Sequence, residues 1–249
     1  MASRSGAALA TNPQAAAAPL LAVRDLEGWY GESHVLHGVT FDVTPGEVVT
    51  LLGRNGAGKT TTLKAIMGLL PKRKGSVTFE GRETIGLPAR AIARAGIAFC
   101  PEERGIFSSL SVEENLMLPP KVRDGGLSVE QIFEMFPNLK ERLSSQGTKL
   151  SGGEQQMLAI GRILRTGAKM LLLDEPTEGL APVIIQQIGR TIARLKQAGF
   201  TIVLVEQNFR FAATVADRHY VVEQGKVIDM ITNRDLETNI DKLHAYLGV

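Results

Sequence analysis

Apolar positions in this chain fall into short runs of two kinds, and their alternation lays out the elements. Residues 21–26 and 39–43 cluster or alternate apolar side chains as strands do, and Thr44-Pro45-Gly46-Glu47 makes a turn into residues 48–52, a run of apolar and β-branched positions. A helix is expected over 59–67, a strand over 75–79 closed by the Glu80-Gly81 turn, a short helix over 88–95 and a buried strand over Ile97–Cys100. After a loop over 101–110, Ser111-Val112-Glu113-Glu114 has the spacing of a capping box. Residues 112–165 read as mostly helical, broken at Pro119-Pro120 and Asp124-Gly125-Gly126. The period then switches back. Residues 170–175 form an apolar run ending in two acids, 182–196 has helical spacing with Pro182 in its first turn, and 201–205 is another buried strand. Arg218–Glu223 and residues 226–230 make a hairpin around Gln224-Gly225. A block of helices between strands predicts an α/β core with a helical lobe inserted at about 112–165.

The break after residue 52 carries the first chemistry. Gly53-Arg54-Asn55-Gly56-Ala57-Gly58-Lys59-Thr60 is the pattern G-x-x-x-x-G-K-[ST], set between a strand and a helix as that motif requires. Its glycines let the backbone curl so that successive N–H groups point into one concavity, a nest for a di- or triphosphate. The helix start adds unpaired N–H groups and its positive dipole end. Lys59 brings a compact charge to the terminal phosphates, and the Thr60 hydroxyl is placed to bind Mg²⁺. A nucleoside triphosphate is the expected ligand, with Asn55, Gly56, Ala57, Gly58 and Thr61 in the same loop.

Composition narrows the class. At 249 residues, 44% hydrophobic and 22% charged, the chain is of ordinary soluble α/β type. Its formal net charge of +2 and the lack of a dense basic block argue against nucleic acid as a partner. Lys72-Arg73-Lys74, the one basic cluster, reads as a solvated turn. The single cysteine, Cys100, excludes an internal disulfide, fits a reducing compartment and reads as a buried small hydrophobe. No apolar run approaches the ~20 residues that span a bilayer. The Ala-rich residues 1–19 lack the apolar stretch of a secretory signal and are expected to be a disordered tail, leaving 20–249 as the folded unit.

Two further stretches separate the many users of a phosphate loop. Residues 170–175 end in Asp174-Glu175; with that strand beside the phosphate-loop strand, Asp174 faces the Mg²⁺ shell and Glu175 can deprotonate an attacking water. Leu150-Ser151-Gly152-Gly153-Glu154-Gln155-Gln156 opens a helix, a second end able to hold phosphate. Of the aromatics, Trp29 and Tyr30 lie upstream of the phosphate loop, where an aromatic ring either stacks on a purine or packs in a small antiparallel sheet.

In order and spacing, these motifs resemble an ATP-binding-cassette ATPase from about residue 21 to the C-terminus. The resemblance implies a P-loop NTPase fold with an antiparallel β subdomain and an inserted helical lobe. It implies ATP and Mg²⁺ as ligands, and head-to-tail dimers in which each ATP lies between one phosphate loop and the other chain's Ser151, Gly152, Gly153 and Glu154. Under it, Tyr30 matches the adenine-stacking aromatic. Three positions depart from the general pattern: Glu102 stands for glutamine, Gln207 for histidine, and Glu178-Gly179-Leu180-Ala181 for a loop ending in Asp. Glu102 still reaches Mg²⁺, directly or through water. Gln207 can donate a hydrogen bond to the γ-phosphate but cannot take up a proton or positive charge as histidine can, which leaves Glu175 as the main base and Glu206 a minor candidate.

Cys100-Pro101-Glu102, Leu180-Ala181-Pro182 and Val205-Glu206-Gln207-Asn208 resemble the ATP-binding subunits of branched-chain amino acid importers. Such subunits pair with a second, non-identical ATPase, two transmembrane permease subunits and a periplasmic binding protein, at the cytoplasmic face of the bacterial inner membrane. A relative serving urea or short amides fits the same residues. The aromatics in 107–110 and 133–136 either dock a permease helix or fill the lobe core. The rival of another class is a cassette protein remodelling complexes in translation or DNA repair. Those usually fuse two cassettes or carry a long coiled-coil insertion, features this chain lacks.

Overall fold

The computed structural model describes residues 18–248, so the expected tail lies outside the described residues except for Ala18 and Pro19. Two sheets organise the rest. The first holds β1 (Leu21–Tyr30), β2 (Ser33–Val43), β4 (Lys72–Phe79) and β5 (Arg82–Glu83) in the antiparallel order β2-β1-β4-β5. The second holds β3 (Val48–Leu52), β6 (Ile97–Cys100), β7 (Met170–Asp174), β8 (Thr201–Glu206), β9 (Arg218–Glu223) and β10 (Lys226–Thr232), in the order β10-β9-β3-β8-β7-β6. Every residue of β3, β7 and β8 is buried, as apolar runs covered on both faces of a parallel sheet must be.

Helices α1 (Lys59–Ile66) and α2 (Ala89–Ala95) belong to the first half of the chain. The lobe is built from α3 (Val112–Met117), α4 (Val129–Met135), α5 (Pro137–Glu141) and α6 (Gly152–Leu164). Ser111, Ser128 and Ser151 each close a capping box at a lobe helix, which supplies the local start signals for α3, α4 and α6. The remaining helices are α7 (Pro182–Gln197), α8 (Phe209–Val215) and α9 (Ile240–Leu247). Leu116, Ile132, Phe136 and Leu139 of the lobe share one core with α6, α7 and one side of the parallel sheet. A second core joins the antiparallel sheet to α1 and the other side. No helix among the described residues is long and apolar enough to cross a membrane.

Several local expectations change. The first strand runs on to Tyr30 through shifts in register, paired on both sides by β2 and β4, with Gly28 lying close to the Leu70 and Leu36 side chains. Lys72-Arg73-Lys74 is the start of β4 rather than a turn, and the Lys72 and Lys74 ammonium groups lie 5.0 and 5.8 Å from the Trp29 ring centroid. That cation–π and cross-strand support outweighs the polar character of the three residues. The strand ending in Asp174 does not lie beside β3, since β8 is between them. The first turn of α1 bridges that gap. Of the loop aromatics, Phe136 is fully buried and Phe133 packs against the core, whereas Phe107 is 53% exposed. Cys100 is buried, as expected.

Candidate active site

The phosphate loop leaves the carboxyl end of β3, where parallel sheets open their crevices. It is held by backbone shape. Gly56 and Gly58 have φ of 77° and 104°, a region that strains residues with a Cβ. A Cβ on Gly58 would lie 3.1 Å from Leu36 and 3.2 Å from the Gly225 backbone, so the position is closed sterically as well. Gly58 caps α1 without any side-chain hydrogen bond, leaving the first N–H groups of the helix to a ligand.

Around that end lies a cavity of about 330 Å³ lined by Val35, Asn55, Gly56, Ala57, Gly58, Lys59, Thr60, Thr61, Glu102, Glu175 and Glu178. Lys59 is only 4% exposed, and its Nζ donates to the Gly53 and Arg54 carbonyls at 2.9 and 3.1 Å. The same ammonium is 3.3 Å from Glu175 Oε1. The other carboxylate oxygen of Glu175 accepts from Gln207 Nε2 at 2.8 Å. Glu175 has a φ of 45°, unusual for a residue with a side chain, and its N–H donates to the Val205 carbonyl at 3.0 Å. Such a conformation costs on the order of 1–3 kcal/mol and persists where neighbours impose it, often at sites of function.

Thr60 Oγ1 donates to Asp174 Oδ1 at 2.9 Å, spanning the width of β8. Asp174 Oδ2 is buried and has no hydrogen-bond partner. Burial pushes the Asp174 carboxyl up to about 6; the Thr60 hydrogen bond opposes the rise, and the charges of Glu175 and Glu102 add to it. Burial likewise pushes Glu206 up to about 7, against the hydrogen bond it accepts from Thr177 Oγ1 at 2.8 Å. Glu178 is raised by burial and by its neighbours Glu175 and Glu102. A crevice lined by Glu102, Glu175 and Glu178 beside a partnerless Asp174 oxygen attracts a cation.

The four residues at the start of α6 are elsewhere and do not line the cavity. Ser151 Oγ and N–H both donate to Glu154 Oε2 at 2.8 Å, and Arg142 Nε lies 3.5 Å from Glu154 Oε1. Burial would raise the Glu154 carboxyl, but the Ser151 and Arg142 contacts hold it below the usual range. Tyr30 stands 46% exposed at the end of β1, outside the cavity lining. Val35, Thr177 and Glu178 were not legible as site residues; Glu206, a minor candidate from the sequence, pairs with Thr177 rather than lining the cavity.

A family model described as ABC transporter matches residues 36–178. The high-affinity branched-chain amino acid transport ATP-binding protein BraG of Pseudomonas aeruginosa is 46% identical over 232 residues, 92% of this chain and 100% of that protein. The lipopolysaccharide export system ATP-binding protein LptB of Escherichia coli is 36% identical over 234 residues, 92% of this chain and 97% of its own. A solved structure of an ATP-binding subunit of an ABC transporter superposes with a TM-score of 0.77 at 31% identity, covering 92% of this chain and 100% of that one. With the phosphate cavity, the acid pair and these relatives in agreement, this chain belongs to the ABC transporter family and is its ATP-binding cassette, an ATPase.

Proposed function

We propose that this chain is the ATP-hydrolysing subunit that powers a bacterial importer of branched-chain amino acids. The observation that carries the solute is the 46% identity to the Pseudomonas aeruginosa branched-chain amino acid protein along the whole of that relative. The 36% identity to the lipopolysaccharide export protein marks the same engine at work on another cargo, and urea or a short amide would need no different residue here.

In this reading Lys59 turns from the Gly53 and Arg54 carbonyls to the β- and γ-phosphates of ATP, while the N–H groups from Asn55 to Thr61 cradle them. The donor set fits Mg²⁺: a buried carboxylate oxygen of Asp174 without a partner lies next to the Thr60 hydroxyl, with Glu102 at the cavity wall. Mg²⁺ takes one or two protein oxygens plus phosphate and water, and when bound it neutralises charge on the phosphate oxygens. Moving Lys59 toward phosphate frees one oxygen of Glu175 to accept the proton of the attacking water, while Gln207 keeps the carboxylate aimed. Tyr30 stacks on the adenine. Ser151, Gly152, Gly153 and Glu154 of one cassette close over the nucleotide of another, so ATP joins two chains and hydrolysis separates them.

The second cassette is a non-identical ATPase. The two permease subunits dock on the lobe side near the exposed Phe107, and a periplasmic binding protein acts from across the membrane, with this chain at the cytoplasmic face of the inner membrane. Pull-down of the tagged chain from membranes, together with leucine uptake in a deletion strain, tests this. Recovery of permease subunits and loss of uptake are expected. Recovery with ribosomes or DNA and unaltered uptake would overturn it.

A further inference from the structure

Arg104 sits between the two phosphate-binding ends of the chain, and none of the ion pairs among the described residues uses it. It has a φ of 64° and is followed by Gly105 at 60°. The Arg104 N–H donates to the Pro101 carbonyl at 2.9 Å and the Gly105 N–H to the Glu103 carbonyl at 2.7 Å. This reversal contains Glu102, which lines the phosphate cavity, and carries the guanidinium to the start of α6. There Nη1 donates to Gln155 Oε1 at 3.1 Å, and Nη2 lies 3.3 Å from where a Cβ on Gly152 would stand. Gln155 Nε2 in turn donates to the Gly147 and Leu150 carbonyls, each at 3.2 Å, in the segment that leads into Ser151.

One guanidinium and one amide thus tie the Glu102 loop to both sides of the Ser151 turn. A planar guanidinium is pre-organised for this, and losing it costs more than charge. A left-handed arginine is strained unless its surroundings hold it, and strain of that kind gathers at switch segments.

We propose that Arg104 is a positioning residue: through Gln155 it sets the Ser151 turn from the Glu102 loop, so that filling one chain's phosphate cavity places the end which that chain offers to a second ATP. The inference rests on the head-to-tail reading above. A phosphate-binding turn displaced by about an ångström costs on the order of 10²-fold in rate, so a short tether has leverage.

The test uses the complex that co-purifies with the full-length tagged chain and compares Arg104→Ala, Gln155→Ala and the double variant. Each single change is expected to lower kcat roughly tenfold or more, while KM for ATP and photolabelling of the chain by 8-azido-ATP shift by less than about twofold. The double variant is expected to be no slower than the slower single, because both act along one path. Unchanged turnover, losses that multiply in the double variant, or ATP affinity falling in step with kcat would each overturn the proposal; the last is what a merely misfolded loop would give. Failure of the head-to-tail reading looks different: the unaltered chain, separated from the permease subunits and the second cassette, would then hydrolyse ATP at the full rate per chain at every dilution, and this inference would fall with it.

Discussion

Helices α1 and α6 both begin with glycine-rich turns, yet the two ends are finished differently. At α1 no side chain caps the helix, Gly58 holds a left-handed φ, and the buried Lys59 ammonium waits at the mouth. At α6 a side chain already serves one of the orphan N–H groups: Ser151 and Glu154 cap each other, and Arg142 sits on Glu154. The first end has no side-chain cap and sets Lys59 among acids, and the second is partly capped and carries its own carboxylate. Anion binding at α1 therefore needs only that Lys59 exchange carbonyls and Glu175 for phosphate. At α6 it needs help from elsewhere, which is consistent with an end that works only against a second chain.

Glu175→Gln breaks the α1 side at its chemical step. Turnover is expected to drop by at least ~10²-fold while ATP binding survives, as seen in single-turnover hydrolysis and nucleotide affinity. Normal turnover would remove Glu175 from its role. Lys59→Ala comes next, with roughly 10²-fold weaker ATP binding, since bonds from a cation to phosphate are worth about 1.5–3 kcal/mol each; titration with a fluorescent ATP analogue measures it.

Buried acid is the other mark of the α1 side, and Glu206→Gln isolates it. A carboxyl raised to about 7 in the folded chain, against about 4.3 unfolded, binds its proton more tightly when folded. Its contribution is therefore most favourable below pH 4, declines as pH rises through 7 and is fully lost above. Denaturant unfolding from pH 5 to 8 should show the unaltered chain losing up to about 3 kcal/mol relative to Glu206→Gln. Parallel curves would show that Glu206 does not titrate there. The smallest effect on stability is on the α6 side: Ser151→Ala should cost about 1 kcal/mol through the lost cap, lower turnover of paired chains, and leave ATP affinity unchanged only for chains diluted apart.

How far the sequence reached follows from distance along the chain. Gly53 to Thr60 and Ser151 to Glu154 were legible because each set of contacts is local: loop, cap and helix start within a few residues. Asp174 and Glu175 were legible as strand-end acids, but their partners were not. Glu175 meets Gln207 and Lys59 only because β8 and α1 flank β7, and no spacing rule announces that arrangement. Lys72 and Lys74 misled because charge suggested a turn, while pairing with Trp29 on β1 made a strand. Arg104 stayed hidden for the same reason, its single partner lying 51 positions away.

The central claim is that ATP works at a seam between two chains, with Lys59 on one side and Ser151 on the other. The most direct measurement is ATPase rate per chain at saturating ATP and Mg²⁺ for this chain mixed with its partner cassette, without the permease subunits, followed across serial dilution. The account predicts that the specific rate falls as the chains separate. A rate per chain that stays constant down to the lowest concentration would contradict it.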